Sequence, residues 1–245
     1  MFSRVAALFD IHGNLPALEA VLREVRGAAV DHIVVGGDVL PGPMPRESLD
    51  ALRALEVPTL FIHGNGDRET IAPTGAVPEA YRESLRWNAE QLSSDDRQRL
   101  AAWPPTVRVP VRGIGDVLFC HATPRNDTEI FTRLTSDERL QPIFGVLDVP
   151  LVVCGHTHMQ FDRMVGSVRV VNAGSVGMPF GGSGAYWLLL GPGIELRRTA
   201  YDLGDAAARI RATAYPKAEE FAAANVLQQP SEEQILSAFS QAELK

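Results

Sequence analysis

The feature that most constrains this chain is a repeated join, in which a short apolar run stops abruptly on glycine and a metal-ligating side chain. "RVAALF" (4–9) runs into Asp10 and His12, "HIVVGGD" into Asp38, and "TLFIHGNGD" into His63, Asn65 and Asp67. Further on, "DVLFCH" runs into His121 and "PLVVCGHTH" into His156 and His158. Short β-branched apolar runs bounded by glycine and proline read as strands. The stretch after the first run, "NLPALEAVLREVRG", offers Asn14 as a helix cap, apolar residues at helical spacing and Gly27 as a stop. "PRESLDALRAL" repeats that helical pattern after the second run. Strands alternating with helices predict an α/β layered fold.

The remaining chain reads in three blocks. Residues 78–102 predict a pair of helices, with "SSDD" starting the second. Beyond Pro104 and Pro105, "TVRVPV", "DVLFCH", "PLVVCGH", "VRVVNAGS" and "GAYWLLL" predict strands. From about residue 204 the chain is alanine-rich and helical.

Composition narrows the function classes. With 23 Lys and Arg against 30 Asp and Glu, the formal charge of −7 gives no whole-chain attraction for nucleic acid or anionic membranes. No run of Lys or Arg marks a long nucleic-acid groove. The opening "MFSRVAALFD" meets Asp10 too early for a signal-peptide core, and no apolar stretch is long enough to span a bilayer. Cys120 and Cys154 each end an apolar run and read as buried thiols rather than a disulfide framework, so the cytoplasm is the expected compartment.

The ligand-type residues fall in five segments: "FDIHGN" (9–14), "GGDVLPG" (36–42), "HGNGD" (63–67), "CHATP" (120–124) and "CGHTHMQ" (154–160). The carboxyl ends of strands line the crevice of an α/β sheet, so segments this far apart in sequence can converge in space. Asp10 with His12 and His156 with His158 are two apart, which puts each pair on one side of an extended backbone. Imidazole mixed with carboxylate suits Mn, Fe, Zn, Co or Ni better than Mg or Ca. Five of the six histidines lie in these segments; His32 is left over and reads as a surface or strand-edge residue.

The ordered set D-x-H, G-D, G-N-x-D, a single His and G-H-x-H resembles the calcineurin-like metallophosphoesterases. "DIHGNLPAL" with "NAGSVGMP" is similar to the small bacterial and archaeal phosphodiesterases described as YfcE-like. The resemblance covers residues 4 to about 190. It implies a four-layer α/β/β/α sandwich of two mixed sheets; the catalytic domain is expected over 1–200, with the C-terminal helical tail over 201–245 as an extension packed on or extending from the same domain. It also implies two divalent transition-metal ions, manganese foremost. Asp10, His12, Asp38 and His158 would hold one ion, and Asp38, Asn65, His121 and His156 the other, with Asp38 as the bridge. The pair would activate a water and clamp an in-line displacement at phosphorus. Asp38, Asn65 and His121 are thereby candidate catalytic residues.

The expected activity is phosphoester hydrolysis, foremost of small phosphodiesters or nucleotides. Phosphomonoesters, phosphoproteins and dinucleoside polyphosphates are the alternative substrates, and a metal-bound interaction scaffold is the rival of another class. A small phosphorylated substrate is the expected partner, and homo-oligomerisation stays open.

One position departs from the family pattern. Gly66 stands where many relatives carry a histidine that contacts phosphate and protonates the leaving group. Loss of general-acid help, worth roughly 10²–10⁴ in rate, favours substrates with stabilised leaving groups such as aryl or nucleotide-linked diesters. Arg125, just after "CHATP", is a candidate for stabilising phosphoryl charge, and His63 for approaching the cavity. Asp67 is expected to shape the turn, Asn172 and Ser175 to support the histidine loop, and "FGGSGAY" (180–186) to form a rim.

Overall fold

The computed structural model describes residues 1–75 and 77–244. Its first half is the alternation expected: β1 (Val5–Leu8), α1 (Leu15–Gly27), β2 (His32–Val35), α2 (Pro45–Arg53) and β3 (Thr59–Phe61). Helices α3 (Asn65–Ile71), α4 (Glu79–Gln91) and α5 (Ser94–Ala101) follow. Then come β4 (Thr106–Val111), β5 (Gly115–Cys120), α6 (Asp137–Phe144), β6 (Leu151–Cys154), β7 (Phe161–Val165), β8 (Val168–Asn172), β9 (Ala185–Leu190) and β10 (Ile194–Thr199). The chain closes with α7 (Leu203–Arg211), α8 (Ala218–Phe221) running into a π-helical turn (Ala222–Leu227), and α9 (Glu232–Ser240).

The strands form two five-stranded mixed sheets, ordered β10-β9-β1-β2-β3 and β4-β5-β6-β8-β7. Within them β1, β2 and β3 run parallel, as do β5, β6 and β8, while β4, β7, β9 and β10 pair antiparallel to their neighbours. Alternation along each central strand explains the layers. Val5, Ala7 and Phe9 meet Val117, Phe119, Val153 and Val171 of the second sheet, whereas Ala6 and Leu8 turn to Leu18, Val21 and Leu22 of α1. On the far side Leu118, Val152 and Val170 pack on Leu140, Ile143 and Phe144 of α6. Two sheets face to face with helices outside are the four-layer sandwich expected, and strands buried on both faces explain why their sequences are unbroken apolar runs.

Local chemistry sets the helix starts. Asn14 caps α1 by accepting from the Ala17 amide, and Ser93 forms a capping box with Asp96 at α5. The expected stop at Gly27 is displaced slightly: Ala29 carries the left-handed backbone (φ +51°) and Gly27 is the last helical residue. The "HGNGD" turn is instead the start of α3, with Gly64 as N-cap and the Asp67 carboxylate accepting from the Gly64 amide.

His32 differs from expectation. It lies on an interior strand, is 5% exposed, and stacks on Phe2 at 4.1 Å between ring centroids. Neither ring nitrogen has a hydrogen-bond partner. Among the described residues no helix is long and apolar enough to cross a membrane.

Candidate metal centre

The carboxyl ends of β1, β2, β5 and β6, with the start of α3, deliver the candidate ligands to one place between the sheets. Two groups form there: Asp10, His12 and His158, and Asp38, His121 and His156. In each group the ligand-type atoms lie within 4.8 Å of one another. Asp38 Oδ2 stands between them, 3.8 Å from His12 Nε2 and 3.5 Å from His121 Nε2. Asp10 Oδ1 lies 3.4 Å from His158 Nε2 and 3.8 Å from His121 Nε2.

Each imidazole is oriented from behind by a backbone carbonyl. His12 Nδ1 meets Pro41 O at 3.3 Å, His121 Nδ1 meets Gly36 O at 3.0 Å, and His158 Nδ1 meets Met178 O at 2.7 Å. His156 Nε2 meets Thr128 O at 3.2 Å. A carbonyl only accepts, so the proton of a neutral ring sits on that nitrogen and the other nitrogen turns a lone pair into the site. The result is a concentration of lone pairs: His12 Nε2 and His158 Nε2 face each other at 3.2 Å, and the buried Asp10 Oδ1 has no donor. A terminal atom of the Asn65 amide lies 3.1 Å from His156 Nδ1 and 3.2 Å from His121 Nε2. With its oxygen there, Asn65 adds another lone pair to the second group; with its nitrogen there, it donates to both rings.

This donor set fits divalent transition metals, since imidazole, carboxylate and amide oxygens suit Mn, Fe, Zn, Co or Ni. Electrostatics point the same way. Burial raises the carboxyl pKa of Asp10 and of Asp38, but the surrounding imidazoles outweigh it and hold both low. Burial likewise opposes charge on His121, yet the Asp38 and Asp10 carboxylates raise it to about 10. Burial together with the neighbouring His121 pushes His156 down to about 4. Two buried carboxylates thus demand positive charge beside them, which a proton on His121 or a cation answers.

The backbone is held in a costly conformation to achieve this. Among the described residues seven non-glycines have positive φ, and five of them are Asp10, His12, Asp38, His156 and His158. Such residues cost about 1 kcal/mol or more each and persist where the surroundings impose them. Asn172 helps impose them by donating to Gly155 O at 2.6 Å, and Ser175 Oγ donates to Asp10 O at 2.7 Å. Asn172 thus supports the histidine loop as expected, whereas Ser175 holds the turn at Asp10.

Gly66, the second residue of α3, lies against this wall. Its amide donates to Asp38 Oδ1 at 2.7 Å, and a Cβ built on it would lie 2.3 Å from Leu40 O and 2.9 Å from Pro41 Cδ. The 38–42 loop therefore fills the space in which a side chain would begin. Asp67 holds that loop by accepting from the Leu40 amide at 3.0 Å, and burial beside Asp38 pushes its pKa up to about 7.

A groove of about 340 Å³ opens beside His121, lined by His63, Arg68, Thr123, Arg125 and Asp127 among others. Arg125 reaches it, but its guanidinium forks onto the buried Glu129 at 2.6–3.0 Å. His63 lines the groove with Nδ1 3.6 Å from Asp127 Oδ2. Sequence reasoning missed Arg68 and Asp127, whose side chains form a two-pronged ion pair at 2.8 and 3.0 Å across 59 residues. Only their tertiary pairing distinguishes them from surface charges, although Arg68 does sit one residue beyond "HGNGD".

A family model for the calcineurin-like phosphoesterase superfamily domain matches residues 4–191. Among curated proteins the chain is similar to the uncharacterized protein MJ0912 of Methanocaldococcus jannaschii, 27% identical over 168 residues. That alignment covers 65% of this chain and 64% of the relative, so just under two thirds of the relative's length is matched. Among solved structures it is similar to a metallophosphoesterase from Sphaerobacter thermophilus, at 26% identity and a TM-score of 0.72, covering 91% of this chain and 99% of that one. The fold is shared with hypothetical protein PH1004 from Pyrococcus horikoshii OT3, at 21% identity and a TM-score of 0.80, covering 93% and 99%. With five strand-end motifs gathered at one centre and the family match running through all of them, the chain belongs to the calcineurin-like phosphoesterase superfamily.

Proposed function

We propose that the protein is a phosphodiesterase that uses two divalent transition-metal ions, manganese foremost, to hydrolyse small phosphodiesters or nucleotides in the cytoplasm. The observation that carries this reading is the set of four imidazoles, each with one ring nitrogen against a backbone carbonyl and the other turned into the site that holds the Asp10 and Asp38 carboxylates. Asp10, His12, Asp38 and His158 hold one ion, and Asp38, Asn65, His121 and His156 the other. When bound, two such ions supply a hydroxide nucleophile at neutral pH and Lewis-acid stabilisation of phosphoryl oxygens. Asp38, its Oδ1 fixed by the Gly66 amide, keeps Oδ2 between the two groups and so sets their spacing. Arg125 and Arg68 line the groove as guanidinium donors, each already paired with a carboxylate, Glu129 and Asp127, that fixes its position before substrate arrives. Residues 1–200 form the catalytic unit in this reading, and 201–245 a helical extension on it.

Substrate choice follows from Gly66. No side chain fits where many relatives carry the leaving-group histidine, so the leaving oxygen departs without an imidazole from that position. Aryl and nucleotide-linked diesters tolerate this better than alkyl monoesters. A groove of about 340 Å³ also matches a small substrate. The test is a side-by-side assay of an aryl diester, an aryl monoester, cyclic nucleotides and dinucleoside polyphosphates with Mn, Ni, Co, Mg and no metal. Diester turnover dependent on a transition metal is expected. Turnover of monoesters alone would overturn the substrate reading, and metal uptake without hydrolysis of any substrate would favour a scaffold.

A further inference from the structure

The two loops that orient His156 and His158 are tied together by one segment outside the sandwich, residues 230–244. On the His158 side, Phe180 stacks on the imidazole with ring centroids 5.1 Å apart and planes 21° from parallel. Phe180 belongs to "FGGSGAY", whose glycines give it little local constraint, and its support comes from elsewhere. Phe239 of α9 packs edge-on against it at 6.3 Å, and the Gly181 amide donates to Pro230 O at 3.0 Å. On the His156 side, the ring is held by Thr128 O, two residues before Ile130. Ile130 O accepts from the Leu244 amide at 2.8 Å and Ile130 bridges to Glu243. Glu243 in turn pairs with Thr135 and Arg139, and Glu232 with Arg133.

We propose that residues 230–244 are a strap whose Phe239 and Glu243 position His158 and His156 for metal, acting through Phe180 and through the 128–135 loop. The proposal rests on the metal reading above. The α9 part of the strap is weakly held: no residue of α9 is buried, and its Glu232–Arg133 pair is an exposed one of small individual worth, while the Glu243 carboxylate beyond it is largely covered. Segments of that kind open locally without global unfolding. Support behind a ligand is worth 10–100-fold in metal affinity, so a strap that opens and closes makes metal retention depend on the chain's last helix.

Cobalt(II) titration followed by visible absorption tests this on the whole protein, a chain lacking 230–245, and the variants Phe239→Ala, Phe239→Leu and Glu243→Gln. Thermal unfolding of each separates site loosening from collapse. The expected result is about tenfold weaker cobalt binding and an altered spectrum for the shortened chain and Phe239→Ala. Melting should stay cooperative, and Phe239→Leu should recover part of the affinity. Wild-type affinity and spectrum in the shortened chain, or in both Phe239→Ala and Glu243→Gln should the shortened chain not fold, would overturn the strap alone. Failure of the whole protein to bind cobalt would overturn the metal reading and the strap with it.

Discussion

His32 and His121 are both buried histidines at strand ends, and they could hardly be provided for more differently. His32, at the amino end of β2, stacks on Phe2 and has no partner on either nitrogen. His121, just past the carboxyl end of β5, has Gly36 O behind it and the carboxylates of Asp10 and Asp38 in front. At one end the fold burial-strips a ring of charge; at the other it surrounds a ring with groups that demand charge. Burial alone therefore says nothing about function, and the convergence of independent strand ends on one point does.

The largest expected effect is at the shared carboxylate. Asp38→Ala removes the atom between the two groups, and turnover should fall by more than the roughly 10–100-fold typical of a supporting residue. Metal content measured beside turnover checks it; full activity with both ions retained would contradict the bridging role.

Gly66→Ala comes next. Its new methyl would meet Leu40 O, a backbone atom that cannot rotate away, so a loss of about 1–3 kcal/mol is expected together with reduced metal affinity. Urea unfolding at fixed metal concentration reads both, and an unperturbed variant would show that the 38–42 loop does not define the wall.

Away from the centre, Asp96 caps α5 and pairs with Arg53. Burial works against its charge, but hydrogen bonds from Ser93 and Arg53 outweigh it and hold its pKa at about 2. A carboxyl depressed in the folded state contributes stability above its ordinary pKa near 3.8 and loses it as pH falls through about 2. Asp96→Asn should cost about 1–2 kcal/mol at pH 7, after discounting for the half-exposed Arg53, and nothing below pH 2.

The smallest effect is at His32. Burial, outweighing the adjacent Asp31, lowers its pKa. A base lowered in the folded state contributes stability above its ordinary pKa near 6.5 and loses it as pH falls, by at most about 1.4 kcal/mol per pH unit. His32→Leu should flatten the acid limb of the stability curve. An unchanged slope would mean that His32 does not titrate on unfolding.

The central strands and the strand-end residues were legible because a strand buried on both faces leaves an unbroken apolar run, and the candidate ligands follow it directly. The edge strands β7 and β10 were not, since "FDRMV" and "IELRRT" carry the charges that keep sheet edges from pairing with other chains. Helix α6 contains Pro142 and escaped the periodic pattern. Helix α3 is only seven residues long, too short for apolar spacing to separate it from a turn. The partners Arg68 with Asp127 and Phe180 with Phe239 are joined only by tertiary folding, so nothing local announces them.

The most direct test of the central claim is calorimetric titration of manganese into metal-stripped protein. Two ions per chain, with uptake at both sites impaired in Asp38→Ala, is the result expected. No uptake by the intact protein, or two ions bound equally well by Asp38→Ala, would contradict a centre built from these strand ends.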